Sequence, residues 1–503
     1  KGNQSSVYGS GAIGGTINIT TKKGEPGFQK NLQYNNASHR THNLSLSLSG
    51  ADDNDDFYVG IERFQTDGMS AMTHNDEEDR YRNNTIVANY GRKFSDKIKF
   101  ESNLRVAETY SQYDKEVDTA TAAHSEELDA LQSSANISLV YEPNSQFTNK
   151  LTLANTYIER IAAAAANSGN AAQDNYYGDR YAFIYSGNYN FNLDNSIVFG
   201  FEREEDQMGY NKDMTGRIDN HAYVTSSYFD YQSRFTNNIY ATFGSRFDEH
   251  KHAGNEDSHR ATLAYLFNDK STKLKSSYGT GFRFPSLYEF FYQDAGTHNL
   301  VAEKSEGFDF GIEKSFSDLG LSIDATYFNL KYYDTLEAWN TSGWLAQNLP
   351  GTVKSQGLEL VSKWKKSDKL NFDLNYTYTS TYDGAEQDDP DMNQSYHDGR
   401  LVRVPRHIFN LATNLKVPGY KNLDLTLNTK WSDQSRDYGN GNRTWRDETL
   451  DDYFVNDLSL KYNLCGTYNL FFDINNILDE KYETTRDYSQ LDRSFNLGFR
   501  RVY

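Results

Sequence analysis

The stretch NFDLNYTYTS, residues 371–380, alternates apolar or aromatic residues with polar ones along its whole length. The apolar and aromatic positions, from Phe372 to Tyr378, would share one face of a β-strand, because successive strand side chains point to opposite faces. The same alternation recurs at 43–50 and 422–429. The sequence therefore predicts an all-β fold whose strands have one apolar face and one strongly polar face.

Connections between the predicted strands largely alternate between short and long. Short polar turns are predicted near Asp53, Ser95, Asn144, Asp194, Asn237, Asp269, Asp318, Asp368, Gly419 and Gly466. Long polar stretches, predicted to be irregular loops, lie at 62–84, 107–130, 158–178, 202–219, 284–302, 335–351, 382–400 and 432–451. An outer-membrane β-barrel has this asymmetry, with short periplasmic turns and long extracellular loops, whereas soluble β-sandwiches follow no such rule.

The strand count also fits a barrel. Ten hairpins, a first strand near Phe28–Tyr34 and a last strand at Arg493–Tyr503 give about 22 strands, an even number as bacterial barrels have. Closure of the sheet leaves no unpaired edge in lipid. Residues 25–503 are therefore predicted to form a transmembrane antiparallel β-barrel, with a lumen wide enough to need a plug.

The composition is compatible with such a barrel. No run of eighteen apolar residues occurs in the 503 residues, which excludes transmembrane helices. Strands that are apolar on one face only keep the mean hydropathy low, here −0.81. The chain has 38 Tyr, which favour membrane interfaces, and only 7 Pro, which break sheet ladders. A net charge of −19 argues against nucleic acid as a partner.

Enzymatic motifs are absent from the sequence. It contains no Gly-x-Ser-x-Gly elbow, no His-Glu-x-x-His zinc motif and no paired cysteine ligands. Its one cysteine, Cys465, falls in a predicted short turn and cannot form an intramolecular disulfide. We therefore expect a protein that is not an enzyme.

The first residues carry the most specific motif. The stretch SSVYGSGAIGGTINITTK, residues 5–22, resembles the end of the plug domain of TonB-dependent outer-membrane receptors. The matching positions are Tyr8, Gly9, Ala12, Ile13, Gly14, Gly15 and Asn18. Ile17 and Ile19 alternate as in a buried strand. Residues 1–24 are therefore expected to be the C-terminal remnant of a plug domain that is mostly missing.

Further motifs of the same family follow in order. GFRFPSLYEFF at 281–291 is similar to the family's G-F-R-A-P-x-L-x-E-L-F segment, and NLVAEKS at 299–305 resembles N-L-x-P-E-K-S, with Ala302 in place of Pro. Stretches at 348–359 and 475–484 also resemble family segments. The motif residues in the barrel are Arg283, Pro285, Glu289, Asn299, Glu303 and Lys304.

The resemblance implies active import. It places the protein in the outer membrane of a Gram-negative bacterium, in contact with the lipid bilayer and lipopolysaccharide. A large ligand would bind the extracellular loops and the plug apex. The inner-membrane TonB complex would then pull on the missing plug segment, so the fragment alone should not transport. A passive substrate-selective porin, an adhesin and a secreted soluble β-protein are the alternatives.

The ligand suggested by the resemblance is cobalamin. The tail at 482–495 is similar to that of the cobalamin receptor group, although Asp487 and Asp492 stand where glycine is usual. A haem or a siderophore receptor of the same family is the alternative. The candidate ligand contacts are Tyr176, Tyr177, Phe291 and Tyr292 in predicted aromatic loops, and His298, which would suit haem.

The same resemblance implies a structural metal. No cofactor is required, but receptors of the cobalamin group can order their loops with calcium held by carboxylates. Asp114, Asp118 and Asp129 lie in about the right place. Calcium takes six to eight oxygen ligands, so clustered carboxylates suit it. A plain acidic loop is the alternative.

Overall fold

The computed structural model describes residues 2–73, 77–114, 126–164, 173–211, 217–291, 299–337, 346–384, 399–437 and 448–502. They form one antiparallel sheet of 22 strands, which confirms the predicted all-β fold and strand number. The first and last strands pair, with Asn31 opposite Val502 and Ala37 opposite Asn496, so the sheet closes into a barrel. Every strand therefore has two neighbours, as lipid requires.

The strands, β1 to β22 in chain order, are Gly27–Ala37, Thr41–Ala51, Asp55–Thr66, Tyr81–Ser95, Ile98–Tyr113, Glu126–Asn144, Phe147–Ala164, Gln173–Asn190, Asn195–Asn211, Arg217–Arg234, Ile239–His250, Gly254–Leu266, Thr272–Arg283, Glu303–Phe316, Leu321–Tyr333, Thr352–Lys365, Leu370–Asp383, His407–Lys416, Leu423–Ser432, Tyr453–Asn463, Tyr468–Asn475 and Ser494–Val502. The described helices are α1 (Ser5–Tyr8), α2 (Leu287–Phe291) and a 3-10 turn at Ser317–Leu319. Two short ribbons pair Leu336–Glu337 with Gln347–Asn348, and Ser435–Asp437 with Glu448–Leu450.

All ten predicted short turns are present, and each has two to six residues. Asparagine, aspartate or serine side chains stabilise several of them by capping backbone N–H groups. The carboxylate of Asp52, for example, accepts bonds from the backbone N–H groups of Asn54 and Asp55 at 2.9 and 2.8 Å. These are the local bonds that make such residues favourable in turns.

The prediction of long loops between β5 and β10 was wrong in part. The strands extend well into the stretches 107–130, 158–178 and 202–219; pairing of β7 with β8, for instance, continues unbroken to Ala163 opposite Gln173. Tyr176 and Tyr177 therefore lie in β8, and 161–164 lies in β7. Where a strand extends above the bilayer, its outer face contacts water and carries polar side chains. Both faces are then polar, so the sequence resembles that of a loop although the strand continues.

The apolar faces of the strands point outward. Leu44, Leu46 and Leu48 are 42%, 39% and 45% exposed, in the order given. These side chains would be buried by lipid rather than by protein. No helix in the described ranges is both long enough and apolar enough to cross a membrane.

The N-terminal segment, residues 2–26, precedes the barrel strands and contacts the inner wall at two places. Residues 3–13 contact β10 to β14. Near the other end, the Asn89 side chain donates to the Lys22 carbonyl at 2.6 Å, and the Lys23 ammonium lies 2.9 Å from the Glu101 carboxylate. The prediction that Ile17 and Ile19 form a buried strand was wrong: they are 93% and 82% exposed, because no described strand pairs with this stretch.

Candidate functional site

The candidate site is a cavity of about 590 Å³ inside the barrel, toward the ends of the strands opposite the short turns. The N-terminal segment, β7 to β11 and the residues that lead into α2 enclose it. Its lining includes Tyr8, Arg180, Glu204, Asp206, His250 and Tyr288. Polar and aromatic groups thus face a space of the size that small-molecule sites have.

Two sequence motifs meet at this cavity through backbone hydrogen bonds. The Ser5 hydroxyl accepts a bond from the Phe282 N–H at 3.3 Å, and the Gly11 N–H donates to the Phe282 carbonyl at 3.1 Å. The Ser10 hydroxyl accepts a bond from the Phe284 N–H at 3.0 Å. The glycine-rich motif therefore binds the end of β13, where the second motif begins.

A second set of contacts holds the start of the segment. The Asn3 amide donates to the Gly279 carbonyl at 2.7 Å and accepts from the Ser305 hydroxyl at 3.1 Å. Ser305 belongs to the third motif and also lies 3.5 Å from the Ile13 carbonyl. Asn3 and Ser305 are both buried, so these bonds are sheltered from water.

A buried charge cluster of the barrel wall supports the same segment. The Arg246 guanidinium lies 2.6 Å from the Glu202 carboxylate and 3.0 Å from that of Asp248, and it donates to the Val7 carbonyl at 3.4 Å. Arg246 is 4% exposed. Gly9 has a φ of +73°, and a β-carbon added there would lie 2.9 Å from this guanidinium, so glycine suits both the backbone and the close approach. Sequence reasoning missed Arg246, although the Arg-x-Asp spacing in β11 puts both side chains on one face.

The charged residues of the barrel motifs form a second cluster. Arg283 makes two bonds of 3.1 Å to Glu289 and one of 2.5 Å to Glu303. Glu289 also accepts from the Ser286 N–H at 2.6 Å, and the Ser286 hydroxyl accepts from the Glu289 N–H at 3.2 Å. This reciprocal pair is the capping box expected of Ser-x-x-Glu at a helix start, and it fixes α2. Burial raises the pKa of Glu289, but the bonds from Arg283 and Ser286 outweigh it and leave that pKa lowered.

The remaining motif residues are distributed around these clusters. Pro285 is buried, Asn299 is exposed, and the Lys304 ammonium lies 3.1 Å from the Glu256 carboxylate. Ala12 is buried, whereas Gly14 and Asn18 are exposed and Gly15 is half-buried.

The candidate ligand-contacting aromatics fall into two groups. Tyr176 stacks on Tyr210 at 4.8 Å, and Tyr210 contacts Tyr288 of the cavity at 6.5 Å. Tyr177, next in the strand, points to the opposite face and donates to Asp219 at 2.9 Å. Only the first tyrosine of the pair therefore adjoins the cavity.

Phe291 belongs to an aromatic group that sequence reasoning missed in part. Its ring lies 5.2 Å from that of His252. His250 is buried, and its ring lies 4.7 Å from Phe284 and 6.0 Å from Phe290. The Nδ1 atom of His250 accepts the N–H groups of residues 252 and 253, so this histidine shapes the turn. Tyr292 and His298 lie outside the described residues.

The structure brings Asp114 together with Glu77 and Asp79 rather than with Asp129. One carboxylate oxygen of each lies within 4.8 Å of the others, and Asp114 is buried. Asp129 lies on β6 opposite Tyr110. Asp118 is outside the described residues. Nothing in the sequence indicates that Glu77 and Asp79, which lie in another connection, join Asp114.

Comparisons with known proteins give one family model and several similar proteins. The family model described as "TonB dependent receptor-like, beta-barrel" matches residues 23–477. A vitamin B12 transporter of Vibrio cholerae is 22% identical over 519 residues, which cover 99% of this chain and 78% of the relative. An iron-regulated outer membrane virulence protein of the same species is 20% identical and matches over 96% of this chain and 75% of its own length. The solved ferric enterobactin receptor PfeA has the same fold, with a TM-score of 0.85 and 17% identity over 100% of this chain and 85% of its own.

Proposed function

The chain belongs to the TonB-dependent receptor family and is a receptor of the outer membrane, and on this premise we propose that its ligand is cobalamin or a related neutral metal chelate. The vitamin B12 transporter that it resembles supports this choice. We also propose that residues 1–24 are the end of a plug domain on which the energy-transducing TonB complex acts.

The observation that carries the ligand choice is the charge of the cavity. Its lining includes five carboxylates and two guanidinium groups. Both guanidinium groups are already paired: Arg180 donates twice to Asp206, at 2.6 and 2.8 Å, and Arg246 pairs with Glu202 and Asp248. Neither is therefore free to bind an anion, and the carboxylates, which outnumber them, accept hydrogen bonds readily but repel anions. A neutral ligand rich in amide N–H groups fits this lining better than a polyanionic ferric siderophore.

The coupling step follows from the contacts of the N-terminal segment. The segment binds β13 through residues 5–11, and α2 follows directly after β13. A ligand seated against Tyr8 and Tyr288 would contact both, so its free energy of binding could shift the segment relative to the wall. Such a shift would reach the part of the plug on which TonB acts.

A siderophore receptor is the second candidate function. PfeA, a ferric enterobactin receptor, suggests this candidate by name, but at 17% identity the likeness shows the fold and not the ligand. The cavity charge is the feature that separates the two candidates. A passive porin is a third candidate function with less support, because residues 2–26 lie against the inner wall and occupy part of the lumen.

The test is calorimetry of the full chain in detergent against cyanocobalamin, haem and ferric enterobactin. We expect heat with cyanocobalamin and none with ferric enterobactin. Glu204→Gln, in the cavity, should weaken cobalamin binding several-fold, whereas Asp257→Asn, on an exposed carboxylate outside it, should not. Heat with ferric enterobactin or haem but not with cyanocobalamin would overturn the ligand choice.

We further propose that the group of Glu77, Asp79 and Asp114 binds calcium and orders the adjoining connections. Three carboxylate oxygens within 4.8 Å of one another are close enough to bind one cation together. The group would supply at least three of the six to eight oxygens that calcium takes. The surrounding chain is already structured: the Ala71 N–H donates to Asp79 at 2.7 Å, and the Ser70 hydroxyl donates to Glu77 at 3.0 Å.

A further inference from the structure

We propose that the outer wall formed by β6 to β9 binds a phosphate-bearing lipid of the outer leaflet, with the phosphate on Arg203 and an acyl chain in the adjoining groove. The proposal rests on the outer-membrane location and does not depend on which ligand the receptor imports.

The groove is a shallow depression of about 510 Å³ that crosses four strands. It forms because Ala135 and Asn155, which face each other across β6 and β7, are short. Larger apolar side chains surround them: Ile137, Leu153, Tyr181 and Phe183, all 39–49% exposed. An apolar groove on a wall that faces lipid suits a hydrocarbon chain.

Arg203 lies at the edge of this groove with its charge uncompensated by protein. It is exposed, and its guanidinium lies 3.7 Å from the centre of the Tyr223 ring and donates to the Thr225 hydroxyl. No carboxylate forms an ion pair with it among the residues that the structure describes. Neighbouring outward side chains in its row are Phe183 and Leu153.

The height of Arg203 places it near the extracellular surface of the bilayer. It lies eight residues beyond Asn195, which follows a short turn. At ~3.4 Å per residue and a strand tilt of ~40°, this is ~21 Å above the turn, near the top of an apolar band that is ~25 Å tall. A lone arginine is costly at mid-membrane but costs little at the interface, where it can reach phosphate oxygens. Guanidinium and phosphate form strong charge-assisted hydrogen bonds.

Glu205 places a negative charge beside the proposed phosphate site. It points to the same face, one row further from the periplasm, and also lines the groove. Its carboxylate repels an anionic phosphate on Arg203, so the lipid binds despite Glu205 rather than through it.

Native mass spectrometry of the full chain in detergent, titrated with phosphatidylglycerol or with diacylglycerol of identical acyl chains, which lacks the phosphate, tests the proposal. We expect phosphatidylglycerol to bind more tightly to the native chain. Arg203→Gln should weaken phosphatidylglycerol at least about tenfold, as expected for loss of a hydrogen bond to a charged group, and Arg203→Lys should weaken it less. Glu205→Gln should tighten it, and Ala135→Leu should weaken both lipids alike by filling the groove.

The matched control is Arg92→Gln, because Arg92 already has Asp55 at 3.5 Å. Its lipid binding should equal that of the native chain. Unchanged phosphatidylglycerol binding in Arg203→Gln, equal binding of the two lipids by the native chain, or weaker binding in Glu205→Gln would overturn the proposal.

Discussion

Arg283 and Glu289 form a bidentate ion pair in which two guanidinium nitrogens each lie 3.1 Å from one carboxylate oxygen. The pair joins the end of β13 to α2, and Glu303 at the start of β14 binds the same guanidinium. The backbone immediately beside Arg283, at Phe282 and Phe284, holds the N-terminal segment. One cation therefore organises both the wall of the cavity and the contact with this segment.

Loss of that cation should loosen α2 while the barrel stays intact. Arg283→Gln leaves Glu289 and Glu303, each 12% exposed in its side chain, without their cation. Removing one partner of such a pair costs about 1–3 kcal/mol or more. We expect amide hydrogen exchange at 287–291 to rise by about ten- to a hundredfold, with no change in the unfolding temperature of the barrel.

Lys304→Gln is the control for that substitution, because Lys304 is half exposed and pairs with Glu256 rather than with Glu289 or Glu303. Exposed pairs contribute little, so exchange in α2 should change by less than about threefold. Equal exchange rates in the two variants would contradict the role of Arg283.

The protection of α2 should depend on pH through Glu289. The pKa of this carboxyl is lowered from its usual 4.5. A lowered pKa means that the folded state favours the ionised form, so its contribution is complete above about pH 4.5 and is lost as pH falls through the lower, folded-state value. Exchange in α2, corrected for the intrinsic rate, should be constant from pH 8 to 5.5 and rise below 4.5. Glu289→Gln should remove this dependence; an unchanged profile in that variant would assign it to another group.

Much of the barrel could be predicted from the sequence because its physics is local. Alternation such as that of 371–380 fixes which side chains face lipid, and aspartate or asparagine caps fix the short turns. The lengths of β5 to β10 could not be predicted in the same way. Above the bilayer the outer face of a strand is wet, so the two-faced pattern that identifies a strand disappears although pairing continues.

The motifs located part of the candidate site but not its partners. Arg283, Glu289 and Glu303 were singled out, and they meet. Arg246 and His250 were not, because their partners Glu202, on β9, and Phe284, just after β13, are distant in the sequence, and one sequence alone does not show such pairings. Whether a charged side chain is buried can be determined only from the folded barrel, not from the sequence.

Gly9 should be less replaceable than Gly11. Both have positive φ, +73° and +85°, so alanine strains the backbone at either position, at a cost of about 1–3 kcal/mol. Only at Gly9 would the new β-carbon also lie 2.9 Å from the Arg246 guanidinium, since nothing lies within 4 Å at Gly11. Exchange of the amides at 5–9 should therefore rise more in Gly9→Ala than in Gly11→Ala. The double variant Gly9→Ala/Arg246→Ala should not recover the native exchange rate, because the backbone strain and the lost bond to Val7 remain. Its effect on exchange should nevertheless be smaller than the sum of the effects of the two single substitutions. Strict additivity would show that the two residues do not interact.

Calcium should order the connections around Asp114 if its carboxylate binds the ion together with Glu77 and Asp79. The three oxygens lie within 4.8 Å of one another, a distance at which like charges disfavour full ionisation of all three. Calcium bound by all three would offset this repulsion. Adding calcium to the full chain in chelator-treated detergent should slow amide exchange at 70–73 by about tenfold or more. Asp114→Asn should abolish this response, whereas Asp129→Asn, on an exposed residue of β6, should preserve it. Equal responses in the two variants would show that calcium binds elsewhere. The absence of any response in the native chain would show that this group does not bind calcium.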